Sequence, residues 1–145
     1  MLGNKYAGQD CSAARALELV GERWTLLILR DAMFRSYVRF SQFADSLNIA
    51  SNILARRLDS LVASGLMETR KIGPRADHHE YHLTEKGVDM KPVIMALTVW
   101  GDRWLGPGPI AFHHGKDGGA GALETRCFKC GETVSATDVI VKRRQ

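Results

Sequence analysis

The chain has 145 residues, 45% of them hydrophobic and 25% charged, the balance of a single soluble globular domain with room for a small appendage. Its formal net charge of +4 is mildly basic and compatible with a polyanionic partner. No apolar run is long enough to span a membrane, the opening residues lack the apolar core of a signal peptide, and three cysteines cannot all pair, which argues against a membrane protein or a disulfide-stapled secreted fold and for a reduced, cytoplasmic setting.

Residues 1–11 read as a loose polar arm that ends at Cys11. Ser12 is expected to cap a helix to about Val20, with Ala16, Leu17 and Val20 on its apolar side. Gly21 breaks it. Residues 24–34 are apolar almost all round, as in a helix buried on several sides; their length and few β-branched side chains disfavour a strand. Residues 37–40 suit one short strand, and Ser41 is expected to cap a third helix with Phe43, Ala44 and Leu47 inward.

A three-residue connection at 48–50 leads into a helix over 49–65, with Ser51 capping its start and Gly65 ending it. At 100° per residue, Leu54, Leu58, Leu61 and Val62 gather on one side, and Asn52, Ala55, Arg56 and Asp59 on the other. Two helices joined by so tight a turn make a helix-turn-helix. Behind it, extended runs at 66–72 and 78–83 flank a Gly-Pro turn, which adds the hairpin of a winged helix. Along the second strand His78 and His82 share one face and His79 the other, which argues against a three-histidine metal site.

Thr84 is expected to cap a helix to about Leu105, kinked or restarted near Pro92. Met90, Val93, Leu97, Trp100 and Trp104 recur at heptad spacing, a seam that needs a partner, here a second copy of the chain. The fold class is thus mainly α (α+β): an arm over 1–11, a winged helix-turn-helix over 12–105 whose dimerisation helix covers about 84–105, and a loosely structured glycine-rich connector and tail over 106–145.

The outward face of the fourth helix carries the chemistry. Asn and Arg have forked donors that match adenine and guanine edges in the major groove, so Asn52, Ala55 and Arg56 are the candidate base contacts on double-stranded DNA. Asp59, one turn on, either accepts from cytosine or holds Arg56. Ser41, Gln42, Ser51, Arg57, Arg70, Lys71 and Arg75 are candidate phosphate contacts, with an internal salt bridge the equal alternative for Arg57. Cys127 and Cys130 form a Cys-x-x-Cys-Gly turn that supplies two of the four ligands zinc needs; His113 and His114, or a second chain, are the candidates to complete it. A redox-labile thiol pair and a plain structural turn stand as alternatives. Otherwise no cofactor is required. Trp24, Trp100 and Trp104 read as core and seam residues, or as walls of a small-molecule effector pocket.

Several multi-residue motifs carry a resemblance. The run from Cys11 to Asp31, with Gly21-Glu-Arg-Trp24-Thr-Leu-Leu-Ile-Leu-Arg-Asp31 at its end, resembles the opening of the HxlR-type winged-helix transcriptional regulators. Arg39-Phe-Ser-Gln-Phe43 is similar to that family's entry to its helix-turn-helix. Ser51, Leu54, Arg57, Leu58, Leu61 and Gly65-Leu66 resemble its recognition helix. Glu80-Tyr-His-Leu-Thr84, Gly87, Pro92 and Trp100-Gly101 resemble its second wing strand and terminal helix, so that the likeness covers roughly 10–104. It implies a homodimeric, sequence-specific regulator, a repressor by expectation, on a two-fold operator. Some members sense oxidants, quinones or aldehydes with a cysteine placed like Cys11, which makes Cys11 a candidate thiol switch; a small buried apolar role is the alternative.

Two rivals are weaker. A thiol oxidoreductase built on Cys127 and Cys130 lacks an alternating strand–helix scaffold, and no catalytic triad, carboxylate pair or phosphate loop is present, so an enzyme is not expected. The other is a winged-helix protein-interaction module with a zinc-binding or redox-active tail and no specific DNA target.

Overall fold

A computed structural model describes residues 6, 8–9, 11–75 and 77–144. Most of the expected arm at 1–11, and Ala76 in the wing turn, lie outside the described residues. The chain divides into two compact units, Met1–Ile94 and Met95–Gln145.

In the first unit α1 (Ser12–Val20), α2 (Thr25–Phe34), α3 (Phe40–Leu47) and α4 (Ser51–Ala63) precede a hairpin of β1 (Met67–Lys71) and β2 (His79–Leu83), followed by α5 (Glu85–Val88). The strands pair antiparallel, Thr69 opposite Tyr81. With α3, a three-residue turn, α4 and then the hairpin, this is the expected winged helix-turn-helix. Helix α6 (Lys91–Leu105) starts in this unit and runs into the next. Among the described residues no helix is long and apolar enough to cross a membrane.

Ile28 and Leu29 from α2, Phe43 from α3, and Leu54 and Leu58 from α4 are completely buried. Leu66, Met67 and Tyr81 close the core from the hairpin side, and Ile94 from α6. Each fully buried side chain of this size contributes about 1.5–3 kcal/mol. Lys91 lies over the Phe34 ring, 5.3 Å from its centroid, and ties the start of α6 to α2. One charge shares this core. The carboxylate of Asp31 is sealed from solvent, where it accepts from Arg30 Nη2 at 2.8 Å and from Ser46 Oγ at 2.6 Å, which joins α2 to α3.

Three expected serine caps are corrected. Cys11 caps α1, its Sγ accepting the Ala14 N–H at 3.3 Å, and Ser12 is the first helical residue. At α3 the Gln42 Oε1 reaches back to the N–H groups of Val38 and Arg39 at 3.0 and 2.9 Å, and Ser41 lies inside the helix. Helix α4 begins after Ala50 without a side-chain cap, and Ser51 is its first residue. Ala16 and Leu17 are exposed, so the apolar side of α1 is narrower than expected: Ala14 and Val20 alone are buried.

Residues 37–40 do not form a strand. Gln42 takes the Val38 N–H and Phe40 already opens α3, which leaves one ladder bond, Tyr81 N–H to the Val38 carbonyl at 2.7 Å. The helix expected over 84–105 restarts near Pro92, as the sequence suggested, with α5 and α6 as its two parts. Thr84 does cap α5, accepting the Gly87 N–H at 3.2 Å, but the chain breaks after Val88. Pro92 has no N–H to offer the preceding turn, and its ring is tolerated near the start of a new helix.

Two glycines set the joints. Gly65 has φ +73°, and around it Leu66 N–H donates to Leu61 and Gly65 N–H to Val62, a Schellman ending that stops α4 and aims the chain into β1. A Cβ on Gly87 would collide with the Leu66 carbonyl, so only glycine lets α5 pack against the entry of the hairpin.

Candidate nucleic-acid interface

The short 48–50 turn, with Asn48 left-handed at φ 47°, sets α4 across α3. Burial of Leu54, Leu58 and Leu61 fixes the rotation of α4, and its opposite face is left to solvent. Asn52, Arg56 and Asp59 are exposed there and Ala55 is half-buried. Asn52 and Arg56 sit one helical turn apart near the start of α4, the end that helix-turn-helix proteins present to base edges. The Asp59 carboxylate lies close enough to Tyr81 to raise the phenol further above its ordinary value, after burial, which is the larger cause.

The other expected contacts fall into two groups. Ser41, Ser51, Lys71 and Arg75 are exposed. Gln42, Arg57 and Arg70 already have partners in the fold. The Gln42 oxygen holds the start of α3. Arg57 pairs with Glu22 at 3.2 Å, the internal bridge that was one of its two readings. Arg70 pairs with Glu68 at 2.7 Å on the open face of β1. Next to them Glu80 receives Arg39 at 3.6 Å and His82 at 3.0 Å, which brings the entry of α3 against the wing. His79 meets the Tyr81 hydroxyl at 3.0 Å. His79 and His82, the two histidines within β2, are therefore occupied in separate pairs, and His78 lies exposed just before the strand.

An open cleft of about 500 Å³ lies between α1 and α4, with Leu17, Glu18, Glu22, Arg23, Arg57 and Ser60 in its wall. Cys11, Cys127 and Cys130 are free thiols. Cys11 is exposed, not a buried apolar residue. Of the seam residues, Met90 packs partly against the core, whereas Val93, Leu97, Trp100 and Trp104 are 43%, 52%, 58% and 63% exposed.

In the second unit the N–H groups of Cys130 and Lys129 point at the Cys127 sulfur and lower its pKa from the ordinary thiol value. Asp117 is also lowered, first by the Gly119 N–H and then by His114. Among the described residues no three of His, Cys, Asp and Glu stand close enough together to hold a metal ion.

Sequence reasoning missed Asp31 and Glu80 as organising carboxylates. A lone acid inside the apolar run of α2 was the available signal for Asp31; the Glu80 pairings need the register of β2 against α3 and have no local signature.

The family model described as HxlR-like helix-turn-helix matches residues 19–109. The uncharacterized HTH-type transcriptional regulator Rv3095 of Mycobacterium tuberculosis is 42% identical over 142 residues, covering 95% of this chain and 87% of its own length. Among solved structures, that of PA1607, a candidate transcription factor, superposes with a TM-score of 0.83 at 33% identity, covering 94% of this chain and 97% of the other. The transcriptional regulator YodB of B. subtilis in its reduced form superposes with a TM-score of 0.56 at 28% identity, covering 69% of this chain and 99% of its own. Its quinone-bound form gives 0.51 at 29%, covering 62% and 94%.

Proposed function

Because this chain belongs to the HxlR-like helix-turn-helix family, and so to DNA-binding transcriptional regulators and not to enzymes, we propose that it works in the cytoplasm as a homodimeric repressor of a two-fold operator. The observation that carries the reading is the split of α4: its leucines are sealed in the core while Asn52 and Arg56 stand exposed on the outward face. In this reading Asn52, Ala55 and Arg56 contact base edges. Ser41, Ser51, Lys71 and Arg75 contact phosphate, and Gln42, Arg57 and Arg70 do so with the donors their internal partners leave over.

Support for the dimer comes from α6, whose Val93, Leu97, Trp100 and Trp104 put large apolar surface into solvent at heptad spacing. Support for a switch comes from Cys11: the thiol is exposed, and its sulfur caps α1 by accepting the Ala14 N–H. YodB's quinone-bound form makes a small electrophile the effector class to test.

Selection of bound duplexes from random DNA, at two salt concentrations and with and without reductant, tests the proposal. A recovered two-fold motif is expected, with affinity falling by roughly 10³-fold or more between 50 and 200 mM salt if six to ten phosphates are neutralised. Equal recovery of all sequences would instead point to a protein-interaction module.

A further inference from the structure

The tail contains the same backbone turn twice. In the first copy Gly121 N–H donates to the Phe112 carbonyl at 2.7 Å, His114 N–H to Gly119 at 2.8 Å, and Gly118 N–H to His114 at 2.8 Å. In the second Val134 N–H donates to Thr125 at 2.7 Å, Cys127 N–H to Glu132 at 2.9 Å, and Gly131 N–H to Cys127 at 2.8 Å. Bridges His113–Ala120 and Arg126–Thr133 close the two stems. Each turn ends on a left-handed glycine, Gly118 at φ 72° and Gly131 at φ 75°. One constant offset, that between His114 and Cys127, carries each of these backbone bonds of the first turn onto its counterpart in the second.

The offset also pairs metal donors. His114 corresponds to Cys127 and Asp117 to Cys130, so both turns place donors at their first and fourth positions. In the first turn the two side chains meet, His114 Nδ1 lying 3.0 Å from Asp117 Oδ2; in the second, Cys127 and Cys130 are free thiols at the matching positions, and the Cys130 Sγ–H donates to Glu132 Oε2 at 3.8 Å. The turn has the local form of a metal knuckle, in which backbone N–H groups gather on the donor atom. Lys129 and Cys130 supply them to the Cys127 sulfur, and Gly119 supplies one to Asp117 Oδ1 at 2.9 Å.

We propose that the two turns are the halves of one zinc site, with His114, Asp117, Cys127 and Cys130 as its four ligands. Two thiolates, one imidazole and one carboxylate make a tetrahedral set that suits a borderline-soft divalent ion. The sequence alone displays the Cys-x-x-Cys-Gly half; the His-x-x-Asp-Gly half is recognisable only from the repeated hydrogen bonds. Among the described residues no three of these donors are gathered, so the site is one that ligation assembles. Binding draws the pairs together across the 118–126 linker and orders the tail, since a site absent from the free chain couples ligation to folding. His113 has no part in it: its Nδ1 is engaged by the Gly118 carbonyl at 3.0 Å.

The test is zinc analysis of the full-length chain purified under reductant without chelator, followed by Co²⁺ titration read from tetrahedral visible bands and the thiolate charge-transfer band. One zinc per chain and a tetrahedral Co²⁺ spectrum are expected. His114→Ala and Asp117→Asn should each weaken Co²⁺ binding beyond the roughly 10–100-fold that loss of a supporting group costs, and His113→Gln should leave it unchanged. Asp117→Cys should tighten binding and strengthen the charge-transfer band, a gain that a misfolded tail cannot produce. Sub-stoichiometric zinc with no Co²⁺ spectrum would overturn the proposal. So would full binding by both His114→Ala and Asp117→Asn, which would put the ion between the cysteines of two chains.

Discussion

Asp31 is the only charged side chain among the described residues that is buried in the core. Its cost is met by position: Arg30 and Ser46 bond directly to its two oxygens, and Arg35 stands 3.7 Å away. Removing the carboxylate strands these donors, so Asp31→Ala should lose about 2–4 kcal/mol in urea unfolding, discounted from a fully buried pair because both arginines reach solvent. A loss below about 0.5 kcal/mol would mean that the cluster does not join α2 to α3. Cys11 makes a different kind of contribution, since its thiol holds a single cap bond to Ala14. Cys11→Ser keeps a capping oxygen and should leave DNA affinity unchanged under reductant. In a mobility-shift titration the parent is expected to respond to diamide or quinone and the variant to lose that response; an undiminished response would place the switch at another thiol.

Among the elements, joints are what the sequence left least legible. The inward faces of α3 and α4 and the hairpin follow from periodicity, because Phe43, Leu47, Leu54, Leu58 and Leu61 recur at helical spacing and Gly73-Pro74 marks the turn. Serine caps failed at Ser12, Ser41 and Ser51 because cap preference is a matter of about 1 kcal/mol, and a thiol, a reaching Gln42 side chain or no side chain at all served instead. The strand expected at 37–40 was lost to a contest between Gln42 and β2 for one N–H, which a linear pattern does not display. Gly65 was legible, and its geometry supports a sharp expectation. A side chain there meets no steric obstacle but must hold φ +73°, so Gly65→Ala should cost about 1–2 kcal/mol of stability through backbone strain alone. An unchanged urea midpoint would show that the Schellman ending tolerates a shift.

At the scale of the whole molecule, the outward face of α4 was readable from the sequence, whereas the pairing of Arg57 was not, because its partner Glu22 lies outside that helix. In the proposed homodimer one reading face becomes two related by symmetry. Leu97 is half exposed in the middle of the α6 seam, and Leu97→Asp would put a charge where apolar surface is to be buried. The variant should sediment as a monomer with unchanged helical content; a persistent dimer would move the interface elsewhere. In that proposed two-fold assembly each base contact would count twice. Arg56 would appear once per half-site, and at about 1–3 kcal/mol for each forked contact its loss should be felt twice. Affinity of Arg56→Ala for the selected operator and for random duplex, measured side by side at fixed salt, is the decisive comparison. The expected result is a fall of about 100-fold or more on the operator with random binding nearly unchanged; an equal fall on both, or none on either, would mean that the outward face of α4 does not read sequence.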